Sequence, residues 1–189
     1  MELRGLPRRI QTFIAALAIT SCLAGIGCTP KIPDRVTTRE IDIYREWLKQ
    51  RFAGKAPEQL YLDDQTFAFD PQQRGCGKAI HDENHVPWSL MKALHALGNA
   101  DFEVDVSPGT MDLPWKYQVL KVRQFPPASP ALHVIGFSRV AFNGSGSEAL
   151  FAVSDACAAG QCGGGSAVLA AKHAGSWQFT SLKSCSWVY

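Results

Sequence analysis

The sequence predicts an α+β domain in which an antiparallel meander of four or more strands is packed by two helices. Three observations carry this expectation. Ile41, Tyr44, Leu48 and Phe52 fall at helical spacing behind Thr37-Thr38-Arg39-Glu40, which matches a capping box. Four strand-like runs, 132–142, 149–154, 167–172 and 177–188, close the chain. Only short turn-forming segments separate them: 143–146, 158–165 and 173–176. Connections that short require antiparallel neighbours.

The 189-residue chain begins with an export pattern rather than with the domain. Arg4, Arg8 and Arg9 form a basic start, and an apolar stretch from Phe13 follows. At about 14 residues that stretch is short of the roughly 20 needed to cross the hydrocarbon. The reading is a signal peptide over 1–27, a tether over 28–37 and a single α+β domain over 38–189. Cys28 follows Ala24-Gly25-Ile26-Gly27, and Cys22 follows Ile19-Thr20-Ser21; both resemble the bacterial lipobox. Cleavage before Cys28 leaves Cys76, Cys157, Cys162 and Cys185, an even number for disulfides, whereas cleavage before Cys22 leaves Cys28 unpaired. Cys28 is therefore the expected lipidation site and Cys22 the alternative. Resemblance to bacterial lipoproteins implies a triacylated Cys28, with Thr29 directing the protein to the outer membrane, facing the periplasm. Unlipidated cleavage near Ala24 or Gly27 is the third possibility.

The leader also distorts the charge. The full chain has 19 basic and 17 acidic side chains. Without residues 1–27, which hold three Arg and Glu2, both counts are 16. A neutral balance argues against nucleic acid as a partner.

Along the domain, Gly54 ends the first helix. Leu60, Leu62, Phe67 and Phe69 give 59–69 a strand-like pattern interrupted by Asp63-Asp64, read as solvated turn acids. Residues 71–84 read as a polar loop carrying Cys76. A second helix is expected to start at Pro87, bury Leu90, Met91, Leu94 and Leu97, and end at Gly98. Val104 and Val106 alternate with acids as a half-exposed strand, and 117–123 is a further strand candidate.

Four cysteines allow three connectivities. Uniform pairing from the 173–176 turn sets residue 185 opposite 164, beside Cys162, so Cys162–Cys185 is one candidate. Cys157–Cys162 with Cys76–Cys185 is the favoured set. A zinc site from Cys157, Cys162, Cys185 and His173 has suitable ligand types but not the usual paired spacing.

His81, Glu83 and His85 are the tightest titratable cluster and the best of the weak metal candidates. The zincin pattern needs Glu directly after the first His, where this chain has Asp82, and Pro87 disfavours helix at Val86. Gly160-Gln-Cys-Gly-Gly-Gly-Ser166 lacks the lysine of a phosphate loop. Ser138-Arg139 lacks a nucleophile elbow, so Arg139 reads as a cross-strand salt-bridge or packing residue. Trp115, between Pro114 and Lys116, is the candidate for an exposed interface anchor.

The stretch Ser138-Arg-Val-Ala-Phe-Asn143, then Cys162-Gly-Gly-Gly, Trp177 and Ser186-Trp187-Val188 resembles a family of uncharacterised exported bacterial proteins. There the first block reads Ser-Arg-Val-Gly-Phe-Asn. Ala141 replaces that Gly here, and Cys157 and Cys162 are spaced more widely. The likeness covers about 55 residues and implies fold and export, with no activity. A looser likeness is to cystatin-like and nuclear-transport-factor-like folds, an analogy that implies no function. The functional expectation is an exported, lipid-anchored envelope protein that binds an unknown envelope protein or small ligand, with no catalytic residue and no cofactor. Its alternative is a metal-assisted hydrolase using His81, Glu83 and His85.

Overall fold

The computed structural model describes residues 35–54, 58–97, 101–121, 132–156 and 163–188. The leader, Cys22, Cys28, most of the tether, Gly98, Cys157 and Cys162 lie outside the described residues.

Helix α1 (Thr38–Arg51) forms where its capping box predicts. Thr37 accepts from the Glu40 amide at 3.3 Å, and the Glu40 carboxylate accepts from the Thr37 amide at 2.8 Å. Its buried face holds Ile41, Ile43, Tyr44, Trp47 and Leu48.

Among the described residues seven strands follow one another as β1 (Gln59–Thr66), β2 (Gln118–Leu120), β3 (Leu132–Phe137), β4 (Ala141–Phe142), β5 (Glu148–Ala156), β6 (Gly163–His173) and β7 (Ser176–Val188). Their order is β2-β1-β3-β5-β6-β7, with β4 also on β5. The fold is α+β with a mostly antiparallel open sheet. The expected meander is present as β3-β5-β6-β7. β1, however, runs parallel to both β2 and β3, so the sheet is mixed. Parallel neighbours need a long crossover. The chain from 67 onward supplies it with helices α2 (Gly77–Asn84) and α3 (Trp88–Ala96) and the single turn α4 (Pro108–Met111).

Several expectations are corrected. Residues 71–84 are not all loop: α2 forms there, anchored by fully buried Ile80. It stops where Pro87 demands, with His85 in the left-handed region at φ 56°. Pro87 is the extended cap before α3 rather than its first helical residue. The segment around Val104 makes only the bridge Gln65↔Glu103, although Val104 and Val106 are buried. Residues 132–142 split in two because Ser138 replaces a ladder partner with its side chain. Its hydroxyl accepts from the Ala152 amide at 2.8 Å, and Arg139 turns towards α1. Gly163, Gly164 and Gly165 belong to β6 rather than to a turn.

The helices do not share one face of the sheet. Ala149, Phe151 and Val153 of β5 pack with α1, while Leu150 and Ala152 between them pack with α2 and α3. A strand buried on both faces reads as a continuous apolar run, as Ala149–Val153 does, and not as an alternation.

The β6–β7 hairpin turns through Ala174 (φ 47°) and Gly175 (φ 88°) as expected. Its uniform register holds from His173↔Ser176 to Ala167↔Leu182 and then jumps to Ser166↔Ser186. Residues 183–185 bulge out of the ladder. Cys185 is thereby turned away from the start of β6 and bonds to Cys76 at the head of α2, with a Cα separation of 5.3 Å.

Candidate functional site

α1 ends at Arg51, before the sheet beneath it does, and the strands change character there. On the α1 face, Ile135 of β3 gives way to His133, Val153 of β5 to Asp155, and Val168 of β6 to Ser166 and Gly164. Phe179 of β7 gives way to Ser181. These residues, with Trp47, Gln50 and Arg51 from the last turns of α1, line an open cleft of about 750 Å³. That volume suits a small ligand.

The cleft has its own electrostatics. His133 Nδ1 lies 2.9 Å from Asp155 Oδ1, and an Arg51 amino group lies 3.8 Å from Asp155 Oδ2. A proton on Nδ1 makes the first contact a hydrogen bond to the ionised carboxylate and leaves the lone pair on Nε2. Phe52 meets the His133 ring edge-on, with centroids 6.0 Å apart. Gln50 donates to the Trp177 carbonyl at 2.6 Å, fixing the end of α1 to β7. Among the described residues no hydroxyl is hydrogen-bonded to the His133 ring, so Ser166 and Ser181 are wall groups rather than nucleophiles paired with a base. The arrangement is suited to holding a polar ligand.

The sequence candidates are scattered. His81 Nδ1 is 2.8 Å from the Val86 carbonyl oxygen, and its ring leans on Trp88 with centroids 4.7 Å apart. Glu83 and His85 are exposed, and among the described residues no group of three or more His, Cys, Asp or Glu is placed to share a metal ion. Cys185 is committed to Cys76, and His173 stands at the far end of β6 from Gly163, about 33 Å along a strand of that length. The two described members of the suggested zinc set, Cys185 and His173, thus do not converge. The Cys157–Cys162 pairing lies outside the described residues.

Trp115 is not an exposed anchor. It is half-buried, edge-on to Phe52 with centroids 6.2 Å apart, and its indole N–H is buried with no partner among the described residues. It lines a second cavity of about 430 Å³ with Pro108, Leu113 and Tyr117. Burial, and secondarily Asp105, pushes the Tyr117 phenol up to about 12. Trp88, at 41% exposure, is the exposed tryptophan instead.

Asp63-Asp64 also lies inside β1 rather than in a turn. Burial raises the Asp63 carboxyl, the Gln65 amide opposes this, and Asp64 and Asp101 add to the rise. Arg139 is an ion-pairing residue, and among the described residues the acid it pairs with is Glu40 on α1.

Sequence reading missed His133, Asp155 and Arg51. The two strand residues carried a signal: His133 and Asp155 each extend by two positions a column whose other members, Ile135 and Val153, are core residues, whereas Arg51 on the helix carried none. Such a column marks where a covering helix stops. No protein-family model, characterised protein or solved structure matches the chain.

Proposed function

We propose that this chain is an exported, lipid-anchored protein of the bacterial envelope that acts by binding, through the cleft at the end of α1, and has no catalysis of its own. The observation that carries the binding role is the cleft, where His133, Asp155 and Arg51 engage one another at a break in the helix cover. The Cys76–Cys185 disulfide supports an oxidising compartment. The leader pattern and Cys28 support the anchor and an outer-membrane address facing the periplasm. The Ser138–Asn143 block supports membership of the exported family it resembles. A long helix laid on an antiparallel meander supports the cystatin-like analogy, although the parallel β1 pairs add to that plan.

Two measurements test this. Mass spectrometry of the processed N-terminus should find acyl chains on Cys28; lipid on Cys22, or none, removes the proposed anchor. Affinity capture from the native envelope should recover a ligand or partner that Asp155→Asn loses. Capture unchanged by that substitution, or turnover of ester, peptide or phosphate substrates by the purified protein, rejects the binding role assigned to the cleft.

A further inference from the structure

We propose that the cleft takes a neutral saccharide of one or two rings; this rests on the binding role above and names its ligand class. The charges in the cleft oppose every simple ion. Arg51 and Asp155 stand 3.8 Å apart, so an anion drawn to the guanidinium meets the carboxylate, and a cation drawn to the carboxylate meets the guanidinium. The two charges are nevertheless farther apart than a hydrogen bond, so each keeps hydrogen-bonding capacity for a third group. A ligand hydroxyl, donor and acceptor at once, satisfies both.

The remaining polar groups ask for the same chemistry. His133, in the cleft lining, uses Nδ1 on Asp155, which leaves its Nε2 as a further hydrogen-bonding atom. The Ser166 and Ser181 side chains, whose backbones are in the ladder, have no hydrogen-bond partner among the described residues and offer two further hydroxyls to the cleft they line. A purely apolar ligand would bury these groups unsatisfied. Val153 and Phe179 supply the apolar wall that the C–H side of a sugar ring covers.

Gly164, also in the lining, pairs with Asp155 on one side and Val188 on the other; a Cβ there would meet the Trp187 carbonyl oxygen, so the glycine lets β7 pass close beside the cleft. A zwitterion such as a free amino acid fits less well. Its two ends would have to part charges that already neutralise each other.

Calorimetric titration of the full chain in detergent tests this, with cellobiose and N,N′-diacetylchitobiose as neutral probes and glucose 6-phosphate and phenylalanine as charged ones. The expected result is binding of a neutral disaccharide in preference to both charged probes. Asp155→Asn and Arg51→Gln should each weaken it about tenfold or more, with little change in melting temperature because both side chains are partly exposed. Tighter binding of glucose 6-phosphate or phenylalanine, lost in Asp155→Asn, overturns the saccharide class and leaves the cleft as the binding site. No heat with any probe also overturns the class. Envelope capture then decides the cleft separately, since capture unchanged by Asp155→Asn removes it as well.

Discussion

Arg139 places its Nε 2.7 Å from Glu40 Oε1, joining the break after β3 to the first turn of α1 with both side chains at most 3% exposed. The same carboxylate accepts from the Val140 amide at 3.0 Å and from the Thr37 amide at 2.8 Å. The guanidinium lies over Phe102, 4.6 Å from its centroid. One acid thus caps a helix, neutralises a buried cation and fixes a strand break.

Removing either charge should therefore be costly. Glu40→Gln or Arg139→Met is expected to destabilise by about 3–5 kcal/mol, because each breaks a buried, hydrogen-bonded ion pair from one side. The double variant should lose much less than the sum of the singles. Urea unfolding of the four proteins measures the coupling; additive losses contradict it.

The disulfide closes a separation of 109 residues. In the chain-entropy account a loop of that size is worth about 4–5 kcal/mol. Cys76→Ala with Cys185→Ala should lower stability by up to that amount, measured against the oxidised parent. Equal melting temperatures for the two would contradict a structural role.

A Cβ on Gly165 would overlap the Trp187 ring, which lies across it from β7. Gly165→Ala is expected to cost about 1–3 kcal/mol through overpacking. Trp187→Leu in the same background should recover part of that loss. A fully stable Gly165→Ala protein would show that the ring lies elsewhere.

Asp63 offers a pH signature. Burial raises its carboxyl above the ordinary value of 3.8, so the folded protein holds that proton more tightly than the unfolded chain. Stability should then fall as pH rises from about 3.8 through the raised value, and stay lowered above it. Asp63→Asn keeps the oxygen that accepts from the Gln65 amide at 3.0 Å. It should stabilise the protein at neutral pH and flatten that part of the profile; a less stable Asp63→Asn protein at pH 7 would reverse the sign.

The legible parts of the fold were those fixed by local rules. The capping box located α1, the short turns located the β3-β5-β6-β7 meander, and the cysteine count included the Cys76–Cys185 pair. What escaped depended on distant partners. The parallel pairing of β1 has no local mark, and two consecutive acids inside it looked like a turn. The three-residue slip at 183–185 cannot be seen in a ladder counted uniformly from its hairpin. The cleft escaped because His133 and Asp155 are each unremarkable until β3 and β5 are laid side by side.

The slip in β7 has a consequence for the company the protein keeps. β7 is the outermost strand at one border of the sheet and runs 13 residues, long enough to template a neighbouring chain. The bulge breaks that border into two shorter stretches and puts exposed Lys183 in the gap. The Cys185 bond prevents the extra residues from sliding back into line. In the membrane-tethered state proposed above, copies would meet at high local concentration, and this staple would keep neighbouring molecules from zipping edge to edge.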